Sequence, residues 1–102
     1  MRDTYLIAIT QIHSELVLRE YLDIAIVAAS YDIPAIIYLT EPVVRQLQIK
    51  HCIDMEQTFK MIGDFNIALF SNCTTEERLY RQSVMPSQLD KLIQVSQHYF
   101  LF

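Results

Sequence analysis

Glycine is nearly absent from this 102-residue chain, with Gly63 the only one. A bound pyrophosphate needs glycines in the first strand-to-helix turn for close backbone approach, and Thr10-Gln11-Ile12-His13-Ser14 supplies none. A dinucleotide is therefore not expected, nor any other cofactor. Basic residues are in the minority, 8 Lys and Arg against 12 Asp and Glu, for a net charge of −4. Grip on a phosphate backbone comes from clustered Lys and Arg, so direct nucleic-acid binding is not expected.

Long apolar runs are missing as well. The stretch Ile24 to Ala29 falls far short of the ~20 residues a membrane span requires. The opening Met1-Arg2-Asp3-Thr4 turns acidic at once and lacks the apolar core and cleavage site of a signal peptide, which makes the cytoplasm the expected location. Cysteine is limited to Cys52 and Cys73, far apart and without C-x-x-C spacing. That excludes a disulfide framework and a zinc knuckle and leaves two free thiols. His51-Cys52 is an adjacent pair without further ligands close in sequence, so no metal site is expected.

What the chain does have is apolar surface. Apolar residues make up 52% and the mean hydropathy is +0.20, high for a small monomer whose exterior must be largely polar. A length of 102 residues fits one domain, 1–102, whose modest buried fraction favours oligomerisation as a second source of stability. The six tyrosines and five phenylalanines read as core or interface anchors, since no Lys or Arg interleaves them as in a single-strand binding groove.

Periodicity supplies the elements. Tyr5 to Thr10 reads as a buried strand, and Ser14 can cap a helix from Glu15 to Ser30. On that helix Leu18, Leu22, Ala25 and Ala29 form one apolar row, and Val17, Tyr21, Ile24 and Ala28 a second. Such a helix wants cover on two sides. Ala35 to Leu39 is a second strand, followed by a helix with Pro42 in its first position and ending near Gln48. Asp54 is expected to cap a helix through Met61, with Gly63 as its left-handed C′ residue.

Ile67 to Ser71 is the third strand. Thr74 or Thr75 is expected to cap a helix reaching Gln82, with Val84-Met85 a brief fourth strand. A helix over Ser87 to Gln97 and a strand over Tyr99 to Phe102 close the chain. The order β-α-β-α-α-β-α-(β)-α-β implies crossovers and a doubly wound, flavodoxin-like α/β fold. Its three layers are a parallel sheet of four to five strands and helices on both faces.

Cys73 is the sharpest chemical feature, since it follows a strand and so falls on the sheet edge where ligands collect. His13 follows the first strand and falls on the same edge. A Cys–His pair there would make a thiolate available near neutral pH; equally, Cys73 could be a small buried apolar residue and His13 a surface residue. A helix N-terminus at Cys73 would lower its pKa, while Glu76 and Glu77 in the same turn would raise it. Two full charges outweigh half a charge, so activation is expected to require a cation.

These residues resemble a known family. The histidine of Thr10 to Ser14, the run Arg19-Glu20 with Leu22-Asp23, and the small residues Ala28-Ala29-Ser30 match the DsrE/DsrF-like sulfur-relay family. Thr58-Phe59-Lys60 with Gly63, the strand Ile67 to Ser71, and Cys73 then follow in the family's order. The pattern is most similar to the TusC/DsrF-type subunit. The resemblance implies a parallel α/β subunit of a heterohexamer, with DsrE/TusD-like and DsrH/TusB-like partners and a downstream sulfur carrier. That assembly passes persulfide sulfur toward 2-thiolation of the tRNA wobble uridine.

In that family the sulfur-accepting cysteine belongs to the DsrE/TusD-type subunit, and Cys73 falls at the corresponding position. Here, however, Thr74-Thr75-Glu76-Glu77-Arg78 replaces the small residues and Arg-rich turn of the active subunits, and His13 is followed by Ser14 rather than glycine. The departures fit a structural partner that is not catalytic alone. Two alternatives stay open: an autonomous persulfide carrier or thiol enzyme using Cys73 with His13 as base, and a homo-oligomeric α/β interaction module without sulfur chemistry.

Overall fold

Alternation along the strands divides the interior into two unequal cores. Strand β1 (Tyr5–Ile9) sends Ile7 and Ile9 to one face and Leu6 and Ala8 to the other, and all four are fully buried. Strand β2 (Ala35–Leu39) pairs with it in parallel, Tyr5 opposite Ala35 through Ile9 opposite Leu39. Strand β3 (Ala68–Ser71) pairs with β2 in parallel, Ile36 opposite Ala68. The computed structural model describes residues 3–12, 14–50 and 52–102.

Three helices cover the first face. Helix α1 (Glu15–Ser30) starts where the Ser14 hydroxyl accepts the Val17 backbone N–H at 3.1 Å, satisfying one of the orphan donors of the first turn. Helices α2 (Glu41–Ile49) and α3 (Ile53–Asp64) follow β2. Leu18 and Leu22 of α1, Val43 and Val44 of α2, and Met55, Phe59 and Ile62 of α3 join Ile7, Ile9, Ile37 and Leu39 in one cluster. Each fully buried Leu, Ile or Phe there is worth about 1.5–3 kcal/mol over exposure.

Among the described residues the other face carries one short helix, α4 (Leu89–Val95), whose Leu92 packs with Leu6, Ala8 and Tyr38. This cover is incomplete: Ala68, Met85, Tyr99 and Leu101 remain exposed. The fold is thus the expected α/β arrangement with helices on both faces, though its sheet has six strands.

The extra strand comes from a segment expected to be helical. Thr74 to Gln82 forms no helix; strand β4 (Glu77–Leu79) turns back antiparallel onto strand β5 (Gln82–Pro86), which pairs in parallel with β3. The physical reason is a period of two. Arg78 and Ser83 are exposed, while Leu79 and Val84 insert into the three-helix core. Both turn residues have positive φ, 48° at Tyr80 and 70° at Arg81. That geometry matches the twist of a two-residue hairpin, which usually draws Asn-Gly.

Smaller shifts follow the caps. The N-cap of α3 is Cys52, not Asp54, which lies inside the first turn. Gly63 is within α3 and has no positive φ; the left-handed residue after that helix is Asn66, with φ 57°. Pro42 is the second residue of α2, and α4 is shorter at both ends than expected.

Strand β6 (His98–Leu101) pairs in parallel with β1, giving the order β4-β5-β3-β2-β1-β6. The chain therefore steps outward from β1 through β2, β3 and β5, and α4 carries it back to the far side of β1. Strand order reverses between β1 and β6, the place in an open α/β sheet where the carboxyl ends leave a crevice. Edge strand β6 is exposed along its whole length and apolar in Tyr99, Phe100 and Leu101. Among the described residues no helix is long and apolar enough to cross a membrane.

Candidate functional site

The parallel strands β1, β2 and β3 end together at Ile9, Leu39 and Ser71, so the loops that follow share one rim. Cys73 stands on that rim as expected from its place after β3, but it is only 3% exposed. Its backbone N–H donates to the hydroxyl of the fully buried Ser71 at 3.1 Å, which fixes the loop inward. Tyr38 lies close by: burial raises its phenol pKa, and the charge of a Cys73 thiolate would raise it further.

Because a hairpin replaces the expected helix, no helix starts in the segment directly after Cys73. The two expected carboxylates are also accounted for. Glu77 accepts from the Arg45 guanidinium at 2.8 Å and from the Gln48 amide at 3.1 Å, and chiefly the arginine holds its pKa below the usual carboxylate range. Glu76 accepts from the Ser83 hydroxyl at 3.3 Å. Arg45 is a cation within electrostatic range of Cys73, yet it is shared with Glu41 at 3.7 Å as well as Glu77, and chiefly its hydrogen bond to Glu77 raises its own pKa. A buried thiol beside a spoken-for cation is poorly placed to meet a substrate.

His13, the other expected member of the pair, lies outside the described residues, as does His51. Among the described residues no group of three His, Cys, Asp or Glu side chains converges as metal ligands would.

The second thiol, read from sequence only as half of an insufficient metal pair, occupies a more open setting on the same rim. Cys52 donates its S–H to the Glu15 carboxylate at 3.3 Å, and the Lys50 ammonium lies 3.2 Å from the other carboxylate oxygen. These two contacts, the thiol first, lower the Glu15 pKa. The Tyr80 hydroxyl, from the hairpin tip, donates to the Lys50 carbonyl at 3.3 Å. Together with Ser14 and Gln46 these side chains line a cavity of about 190 Å³. Nothing local announces the group, since Glu15, Cys52 and Tyr80 belong to three elements that only the tertiary fold brings together.

No family model matches the sequence. No curated protein matches it either. Among solved structures, the crystal structure of the YchN protein from E. coli is similar, with a TM-score of 0.69 and 15% identity over 100% of both chains. That protein has the DsrE/DsrF-like fold. The likeness shows the fold of this chain: a mixed α/β architecture, its six-stranded sheet mostly parallel.

Proposed function

We propose that this chain is a TusC/DsrF-type subunit of a cytoplasmic sulfur-relay assembly, acting as a structural partner and not as the sulfur acceptor. One observation carries the reading: Cys73 occupies the rim position after β3 that the resemblance gives to a sulfur-accepting cysteine, but is closed off at 3% exposure. A position retained in the fold and withdrawn from solvent suits a related, non-accepting member of a set of chains. The YchN-like fold supports the same family assignment.

Apolar surface supports the need for partners. The face carrying α4 leaves Met85, Tyr99 and Leu101 exposed, and β6 presents an unprotected apolar edge among the described residues. The partners proposed are DsrE/TusD-like and DsrH/TusB-like chains in a heterohexamer, with a downstream carrier taking sulfur toward tRNA wobble uridine 2-thiolation. The acidic balance of this chain agrees with tRNA being held elsewhere.

The test is assembly and labelling together. Light scattering of this chain mixed with DsrE- and DsrH-type partners is expected to give one large species, and a persulfide donor followed by intact-mass analysis is expected to leave Cys73 without added sulfur. Free monomer in the mixture would refute the subunit reading. Added sulfur that disappears in Cys73→Ser would instead favour an autonomous carrier.

A further inference from the structure

The cavity at Cys52 is unused by the reading above, and it joins three features that a thiol-exchange site requires. The first is access. Cys52 is half-buried and lines a cavity of about 190 Å³, whereas Cys73 is buried. That volume corresponds to about six waters, well below the 300–1,000 Å³ of sites for drug-sized molecules, so the occupant must be small.

The second is a set of charges around the thiol. The S–H is held on the Glu15 carboxylate, a negative neighbour. Two features oppose it. Cys52 is the N-cap residue of the twelve-residue α3, with the positive end of that helix beside it, and the Lys50 ammonium is within reach of the same carboxylate. The third is a means of recognition. Lys50 is 73% exposed at its side chain and bridges Glu15 over open solvent, so its ammonium can turn to an incoming anion. Ser14 and Gln46 add neutral hydrogen-bonding groups around the same space. The cavity also adjoins Ile12 and Ser14, beyond the end of β1, the strand that flanks the reversal of strand order.

We propose that the cavity formed by Glu15, Lys50, Cys52 and Tyr80 is a thiol-exchange site for a small carboxylated disulfide, with Lys50 binding the carboxylate and Cys52 reacting. The Cys52 proton passes to water and the sulfur attacks one sulfur of the ligand. A new S–S bond forms to Cys52, the ligand's own S–S bond breaks, and its electron pair leaves on the second sulfur, which takes a proton from water. The exchange is balanced without an external oxidant. It does not rest on the sulfur-relay reading, because Cys73 and the partner chains have no part in it.

The experiment treats the purified chain with dithiodiglycolate, which carries two carboxylates, and in parallel with the neutral 2-hydroxyethyl disulfide. Rates are followed by intact mass, divided by those of free cysteine, and located by peptide mapping. The expected result is one adduct on Cys52, formed several-fold faster with the anionic probe on this relative scale. Lys50→Gln, a change at an exposed side chain, is expected to abolish the preference while leaving the chain folded by circular dichroism. An adduct on Cys73, no adduct on the folded chain, or equal relative rates for the two probes would each overturn the proposal. A preference that survives Lys50→Gln would do the same.

Discussion

The side chain of Asn72, just beyond β3, accepts the backbone N–H of Glu41, the first residue of α2, at 2.6 Å. Thr40, the N-cap residue of that helix, makes no side-chain cap bond of its own and instead donates its hydroxyl to the Thr10 carbonyl at 3.0 Å. A cap is thus supplied across the rim from a neighbouring strand. Asn72→Ala is expected to lower stability by about 1 kcal/mol, the usual cost of losing a cap, measured by urea unfolding. No change in the urea midpoint would show that the bond contributes nothing net.

The hairpin tip stores strain. Tyr80 and Arg81 both hold positive φ, and Tyr80 is kept there by stacking on Phe59, ring centroids 5.0 Å apart. Arg81 is exposed, so its conformation can be relieved without losing that stack. Arg81→Gly is expected to raise stability by about 1 kcal/mol, since glycine takes a left-handed conformation without a Cβ clash. An unchanged or lower urea midpoint would count against strain at this turn.

Gly63 has no positive φ to justify it; a Cβ there would approach the Gln82 side-chain amide. That amide is the far end of a flexible side chain and can swing away. Gly63→Ala is therefore expected to stabilise by less than about 1 kcal/mol, the helix-propensity gain reduced by moving Gln82. A loss of several times that amount in thermal unfolding would show Gln82 to be rigidly held.

Glu77 links stability to acid. Its pKa is lowered in the folded chain by Arg45 and then Gln48, so its contribution is present above the ordinary glutamate value of 4.5 and is lost as pH falls through the depressed folded value. Glu77→Gln is expected to flatten the wild-type decline in stability below that point, with less difference in slope near neutrality. Denaturant melts across the acid range would read this, and parallel slopes for the two chains would exclude it.

Much of the fold was legible because β1, β2 and α1 carry strong local patterns: β-branched and apolar strands, a Ser14 cap, and two adjoining apolar rows. The hairpin was hidden by its own turn, where Tyr80-Arg81 replaces the Asn-Gly that would mark it, and Thr74-Thr75-Glu76-Glu77 imitates a helix start. Placement of Cys73 on the rim followed from β3, but its burial depends on Ser71 and the packing around it. Cys52 is not legible as a site because its partners Glu15 and Tyr80 are distant in sequence, and spacing says nothing of side chains that meet only after α1, α3 and the hairpin have packed.

The pairing of Tyr5 with His98 has a consequence for biosynthesis. One side of β1 can close on β2 soon after both emerge from the ribosome, but the other waits until residue 98, some ninety residues later, has been translated. During that interval Tyr5 to Ile9 exposes a bare ladder of amides in a nascent chain, which is the kind of surface chaperones shield. Translation pauses ahead of residue 98 should therefore lengthen the period in which newly made molecules are prone to coaggregate.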